Sequence, residues 1–94
     1  MTIYEFIAAL DQFTDEEKKV LSDMFDECQF QSDVDSMLKC IEEETGFYSD
    51  SVSITPQDDG YLIAFRMIAG PQIRLNKDEI EALLNACRPY LEAD

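Results

Sequence analysis

The side chains best suited to chemistry in this sequence are carboxylates and thiols. Of the 94 residues, 21 are Asp or Glu, three are Cys and none is His. Closely spaced carboxylates suggest either a hard-cation site or general acid–base work. Placing Asp33 at the head of a calcium loop of the EF-hand type puts Asp35 and Glu44 at ligand positions. The pattern fails between them: Met37 occupies a ligand position, and Leu38 stands where a sharp turn needs Gly. Acid–base catalysis needs a carboxylate with a displaced pKa in a pocket. These acids fall mostly opposite apolar stripes, which predicts a solvated face.

Cys28, Cys40 and Cys87 are distant in sequence, and each sits at an apolar position of a predicted helix. Without a His base they read as small buried hydrophobes of a reducing compartment. Gly46, Gly60 and Gly70 are too scattered for a phosphate loop. No catalytic residue, cofactor site or metal site is expected.

The formal charge is −14, from 7 basic against 21 acidic residues. Direct nucleic-acid binding requires cations that displace counterions from phosphates, so it is not expected. An anionic membrane surface would repel the chain. No apolar run approaches the roughly 18–20 residues of a membrane span. Met1 to Leu10 lacks the positive start of a signal peptide and carries Glu5. The expectation is a small cytoplasmic protein with a basic protein as its partner. At 46% hydrophobic the chain can build a core, and its length suits one domain over residues 1–94.

Four helices and a hairpin are needed to position these groups. Thr2 with Glu5 forms a capping-box pattern, and Ile3, Phe6, Ile7 and Leu10 recur at helical spacing, predicting a helix from Thr2 to about Leu10. Thr14 with Glu17 opens a second helix, from Asp15 to near Cys28. Its stripe is Leu21, Met24, Phe25 and Cys28. Ser32, with Asp35 three residues on, is the expected cap of a third helix spanning about Asp33 to Thr45. Gly46 is the expected left-handed residue ending it, with Phe47 folding back toward Ile41.

The period then changes. Ser51 to Thr55 alternates as a half-buried strand does, Pro56 to Gly60 is a turn cluster, and Tyr61 to Ile68 is rich in strand formers. Gln72 to Leu75 suits a short third strand. Asn76 with Glu79 caps a last helix carrying Ile80, Leu83, Leu84, Cys87 and Leu91. The fold class is α+β: about three N-terminal helices, an antiparallel hairpin or short three-stranded meander, and a C-terminal helix. Residues 1–47 form the acidic helical part, and residues 48–94 the hairpin and last helix.

The charge is one-sided. Residues 1–60 carry 16 acids and 3 bases, whereas residues 61–94 carry 5 and 4. On the second helix Glu16, Asp23 and Glu27 share a flank, with Asp26 nearby. On the third, Asp35 and Glu42 align, followed by Glu43 and Glu44. Carboxylates one turn apart are separated by about 6 Å of rise, loosely like a row of phosphates. Such a face can block a basic nucleic-acid channel. Phage anti-restriction and anti-CRISPR proteins and some nuclease-toxin immunity proteins use this logic of nucleic-acid mimicry. The likeness is one of function, and no family motif accompanies it.

The expected function is therefore a non-catalytic inhibitor or antagonist. It would dock an acidic helical face on a basic, nucleic-acid-handling protein, through Glu16, Asp23, Asp26, Glu27, Asp35, Glu42, Glu43 and Glu44. The alternative is an adaptor or structural subunit, even a homodimer. It would assemble through an apolar sheet or helix surface around Tyr61, Phe65, Arg66, Met67, Arg74 and Tyr90.

Overall fold

Three of the four helices in the computed structural model, which describes all 94 residues, begin at the caps written in the sequence. Helix α1 (Ile3–Ala8) starts at Thr2, whose Oγ1 accepts the Glu5 N–H at 3.1 Å while the Glu5 carboxylate accepts the Thr2 N–H at 2.9 Å. Thr14 and Glu17 repeat this arrangement at α2 (Asp15–Glu27), at 3.1 and 2.8 Å. Asn76 and Glu79 do so at α4 (Lys77–Cys87), at 2.8 and 2.9 Å. Each cap satisfies N–H groups that have no partner inside the helix, a contribution of about 1 kcal/mol.

Helix α3 (Gln31–Glu42) differs from expectation at both ends. Ser32 is not its cap. The helix starts earlier, after Phe30, whose side chain has no acceptor, and the Asp33 carboxylate takes the Phe30 N–H at 3.0 Å. The cause is distant in sequence. The tail runs beside this link as a short parallel bridge, with Gln31 N–H on the Glu92 carbonyl at 2.9 Å and Glu92 N–H on the Gln29 carbonyl at 3.0 Å. Ser32 instead bonds the Asp94 carboxylate.

At the other end of α3 the left-handed residue is Glu44, with φ of 58°, and no Gly has positive φ. Glu44 N–H reaches the Ile41 carbonyl at 3.2 Å and Thr45 N–H reaches Cys40 at 2.9 Å, a complete Schellman motif. Gly46 serves a different need. A Cβ there would meet the Tyr48 hydroxyl at 2.7 Å, so the missing side chain admits that ring.

The sheet has four antiparallel strands in sequence order: β1 (Phe47–Tyr48), β2 (Val52–Gln57), β3 (Gly60–Phe65) and β4 (Gln72–Leu75). It is the expected meander with one further strand, β1, at its edge. Residues that pair across strands share a face. Phe47, Ile54, Ile63 and Ile73 form one row pointing into the core, and Tyr48, Ser53, Ala64 and Gln72 form a neighbouring row on the outer face. Pro56, expected in the turn, lies inside β2 opposite Tyr61. Gln57 and Gly60 close the two-residue Asp58-Asp59 loop, so the next pair falls where no ladder N–H is needed, and β1 stops short of it. Strand β3 stops at Phe65, before the expected Ile68.

Helices cover one face of the sheet. Helix α2 packs on α1 and on β2, β3 and β4, while α3 packs on α4 and β1. A 3-10 turn, Arg88–Tyr90, ends α4 and also meets α3. The core holds Val20, Leu21, Met24 and Phe25 of α2, Val34, Met37 and Ile41 of α3, and Ile80, Leu83, Leu84 and Cys87 of α4 against the sheet isoleucines. Truncating any of the large ones to Ala costs roughly 2–5 kcal/mol. No helix is long and apolar enough to cross a membrane.

Candidate functional site

The apolar stripes of α2 and α3 fix where the acids point. Because these helices pack on different partners, the eight candidate carboxylates do not form one continuous face. Glu16 and Asp23 lie on the flank of α2 that borders the loop between β3 and β4. Glu42 ends α3 and Glu43 and Glu44 follow it, where Glu44 shares a shallow depression with Asp58 and Asp59 of the β2–β3 loop and with Lys77. The two groups sit toward opposite ends of β2, a strand of six residues, or roughly 20 Å.

The remaining three are engaged within the fold. The Glu27 carboxylate accepts the Ser49 hydroxyl at 2.6 Å and the Ser51 N–H at 3.0 Å, holding the turn between β1 and β2. These bonds, the one from Ser49 foremost, hold its pKa below the usual 4.5. Asp26 accepts the Tyr4 hydroxyl, and that bond raises the Tyr4 pKa. Asp35 pairs with Arg88 Nη2 at 2.5 Å, joining α3 to the end of α4. Glu16, Asp23, Glu42, Glu43 and Glu44 make no side-chain hydrogen bond or ion pair.

The surface named for apolar assembly is dispersed. Tyr61 is buried and bonds the Ile41 carbonyl. Tyr90 stacks on Phe6 at 4.8 Å between ring centroids. Arg66 lies 5.3 Å from the centre of the Tyr48 ring, and its Nη1 donates to the Ser49 carbonyl at 2.6 Å. Met67 and Ile68, by contrast, stand out from the surface in the β3–β4 loop. The sequence pattern included them in β3, and the only available signal against that was Gly70-Pro71 just beyond.

All three cysteines are free. Burial pushes the Cys28 thiol up to about 11, with nearby carboxylates adding to the effect, and the Cys87 thiol up to about 12. Both are therefore protonated and poor nucleophiles near neutral pH. No charged residue is buried, and no three Cys, Asp or Glu side chains converge as a metal site would require. The depressions at the β2–β3 loop are open and polar, bounded by Asp58, Asp59 and Arg74. An apolar groove lies between α1 and α4, lined by Phe6, Leu10, Leu83 and Ala86. In comparisons with protein-family models, curated proteins and solved structures, the chain finds no match.

Proposed function

We propose that this protein is a non-catalytic antagonist that docks its unpaired carboxylates on a basic, nucleic-acid-binding protein, as a mimic of the nucleic acid. One observation carries the reading: 21 acidic residues are present, and a single ion pair, Asp35–Arg88, neutralises any of them within the chain. The excess opposes folding through self-repulsion, and a cationic partner would relieve it. The groups at the α2 flank and at the end of α3 supply carboxylates that the fold does not use. They steer association and set partner choice more than they set raw affinity.

The test is capture from a nuclease-treated lysate of the source organism at low and high salt. Wild type is compared with a variant carrying Glu16→Lys, Asp23→Lys, Glu42→Lys and Glu43→Lys. Glu27 is left in place because it holds a turn. The expected result is a basic nucleic-acid-binding protein that duplex DNA displaces, that salt releases and that the reversed variant fails to retain. Capture unaffected by charge reversal, or indifferent to salt, would overturn the proposal.

A further inference from the structure

The position of the β3–β4 loop extends this reading, on which the following inference rests. Met67 is 83% exposed and its neighbour Ile68 is 66% exposed. Two adjacent large apolar side chains left mostly in water add little to folding, and they extend the apolar surface offered beside α2. The loop is anchored at its base. Arg66 N–H bonds the Ser51 carbonyl at 2.8 Å, the Arg66 guanidinium bonds the Ser49 carbonyl, and Glu27 of α2 holds both Ser49 and Ser51. Gly70 rests against the Phe65 ring. The base of the loop is thus tied to the acidic helix through the turn between β1 and β2.

Between them lie two adjoining clefts that share Asp23, Phe65 and Ile68. One, of about 190 Å³, is completed by Ser51 and Met67. The other, of about 330 Å³, adds Glu16 and Lys19 of α2 and the loop residues Ala69 to Pro71. Apolar groups on the loop side, facing the carboxylates of Glu16 and Asp23 with Lys19 as the one cation beside them, suit one kind of guest. An arginine side chain has an apolar stem and a planar, weakly hydrated cationic head, whereas a lysine ammonium holds its water more tightly. Asp23 makes no hydrogen bond or ion pair of its own, and a preformed cleft lowers the ordering cost of binding.

The geometry points to this cleft as a socket for an arginine side chain of a basic partner protein, with its stem against Phe65, Met67 and Ile68 and its guanidinium on Asp23. A second copy of the chain fits poorly, since each copy brings a charge of −14.

The test is an NMR titration of the isotope-labelled protein with a capped oligo-arginine peptide and its oligo-lysine counterpart. The arginine peptide is expected to shift the amides of Asp23, Phe65, Met67 and Ile68 and to bind about fivefold tighter than the lysine peptide. Asp23→Asn should weaken arginine binding by about fivefold, the loss of one charge-assisted pair. The double variant Met67→Ser/Ile68→Ser, at exposed positions, should abolish the arginine preference while leaving the thermal melt unchanged. Equal binding of both peptides, or shifts centred on Glu42 to Glu44 with a silent loop, would overturn the socket while leaving the acidic-docking reading intact. Failure of either peptide to bind at low salt would overturn both. A dimer in sedimentation that the double variant dissociates would assign the loop to a second copy and overturn the socket.

Discussion

The Tyr61 hydroxyl donates to the Ile41 carbonyl oxygen across 2.7 Å, and that same oxygen accepts the Glu44 N–H at 3.2 Å. One atom thereby joins the start of β3 to the end of α3. Tyr61→Phe keeps the buried ring and removes only the donor, and the carbonyl retains its backbone partner. The expected loss is about 1 kcal/mol in urea denaturation, at an unchanged slope. A loss of zero would mean that this bond does not anchor the helix end.

Glu44 occupies a backbone conformation that disfavours residues with a side chain, by roughly 1–2 kcal/mol. Its carboxylate makes no bond that would offset this. Glu44→Gly should therefore stabilise the protein by about 1 kcal/mol, raising Tm by roughly 4–8 °C. It also removes one of the acids assigned to docking, so the same variant should bind a basic partner more slowly while melting later.

Gly60 illustrates the opposite constraint. Its φ is ordinary, yet a Cβ there would fall well inside contact distance of the Leu75 carbonyl oxygen at the end of β4. Backbone cannot swing aside as a side chain can. Gly60→Ala should cost about 1–3 kcal/mol by calorimetry, although Ala ordinarily favours a strand over Gly.

Glu27 gives a pH dependence of defined sign. Its folded pKa lies below the usual 4.5 because Ser49 and Ser51 bond the ionised form. The unfolded chain therefore binds the proton more readily. The contribution is complete above that value and is lost as pH falls through the folded pKa. Relief of repulsion among the other carboxylates acts in the opposite sense over the same range. The stability difference between wild type and Glu27→Gln isolates the term. That difference should be present at pH 7 and shrink below pH 4.5, and carboxyl NMR should show Glu27 titrating below the usual 4.5.

What the sequence disclosed was what neighbours in the chain decide. Thr2, Thr14 and Asn76 cap their helices because the partner glutamate lies three residues on. The stripes through Leu21 and Met24, and through Val34 and Met37, are buried as their spacing requires. What stayed hidden depends on distant segments. Phe30 replaces Ser32 at the start of α3 because Glu92 lies beside it. Phe47 and Tyr48 form a strand too short to show a period. Met67 and Ile68 read as strand because apolar type alone cannot distinguish an inward residue from a solvent-exposed one. The candidate site divided for the same reason. Charge on α2 and α3 was visible, but not that the two helices would pack on different elements.

The bridge between Gln29 to Gln31 and Glu92 closes a large loop of chain with hydrogen bonds, because the chain leaves this point through α3 and returns to it only after α4. Two exchanged backbone bonds act as its clasp, and Leu91, buried beside them, keeps it shut. Opening the clasp would free the link between α2 and α3 without breaking a ladder bond of the sheet, so this corner is expected to open as its own cooperative unit. In hydrogen exchange the amides of Gln31 and Glu92 should therefore open together, and faster than those of Ile54 and Ile63. Shared protection of two residues so far apart in sequence would show that the tail and the acidic link unlatch as one piece.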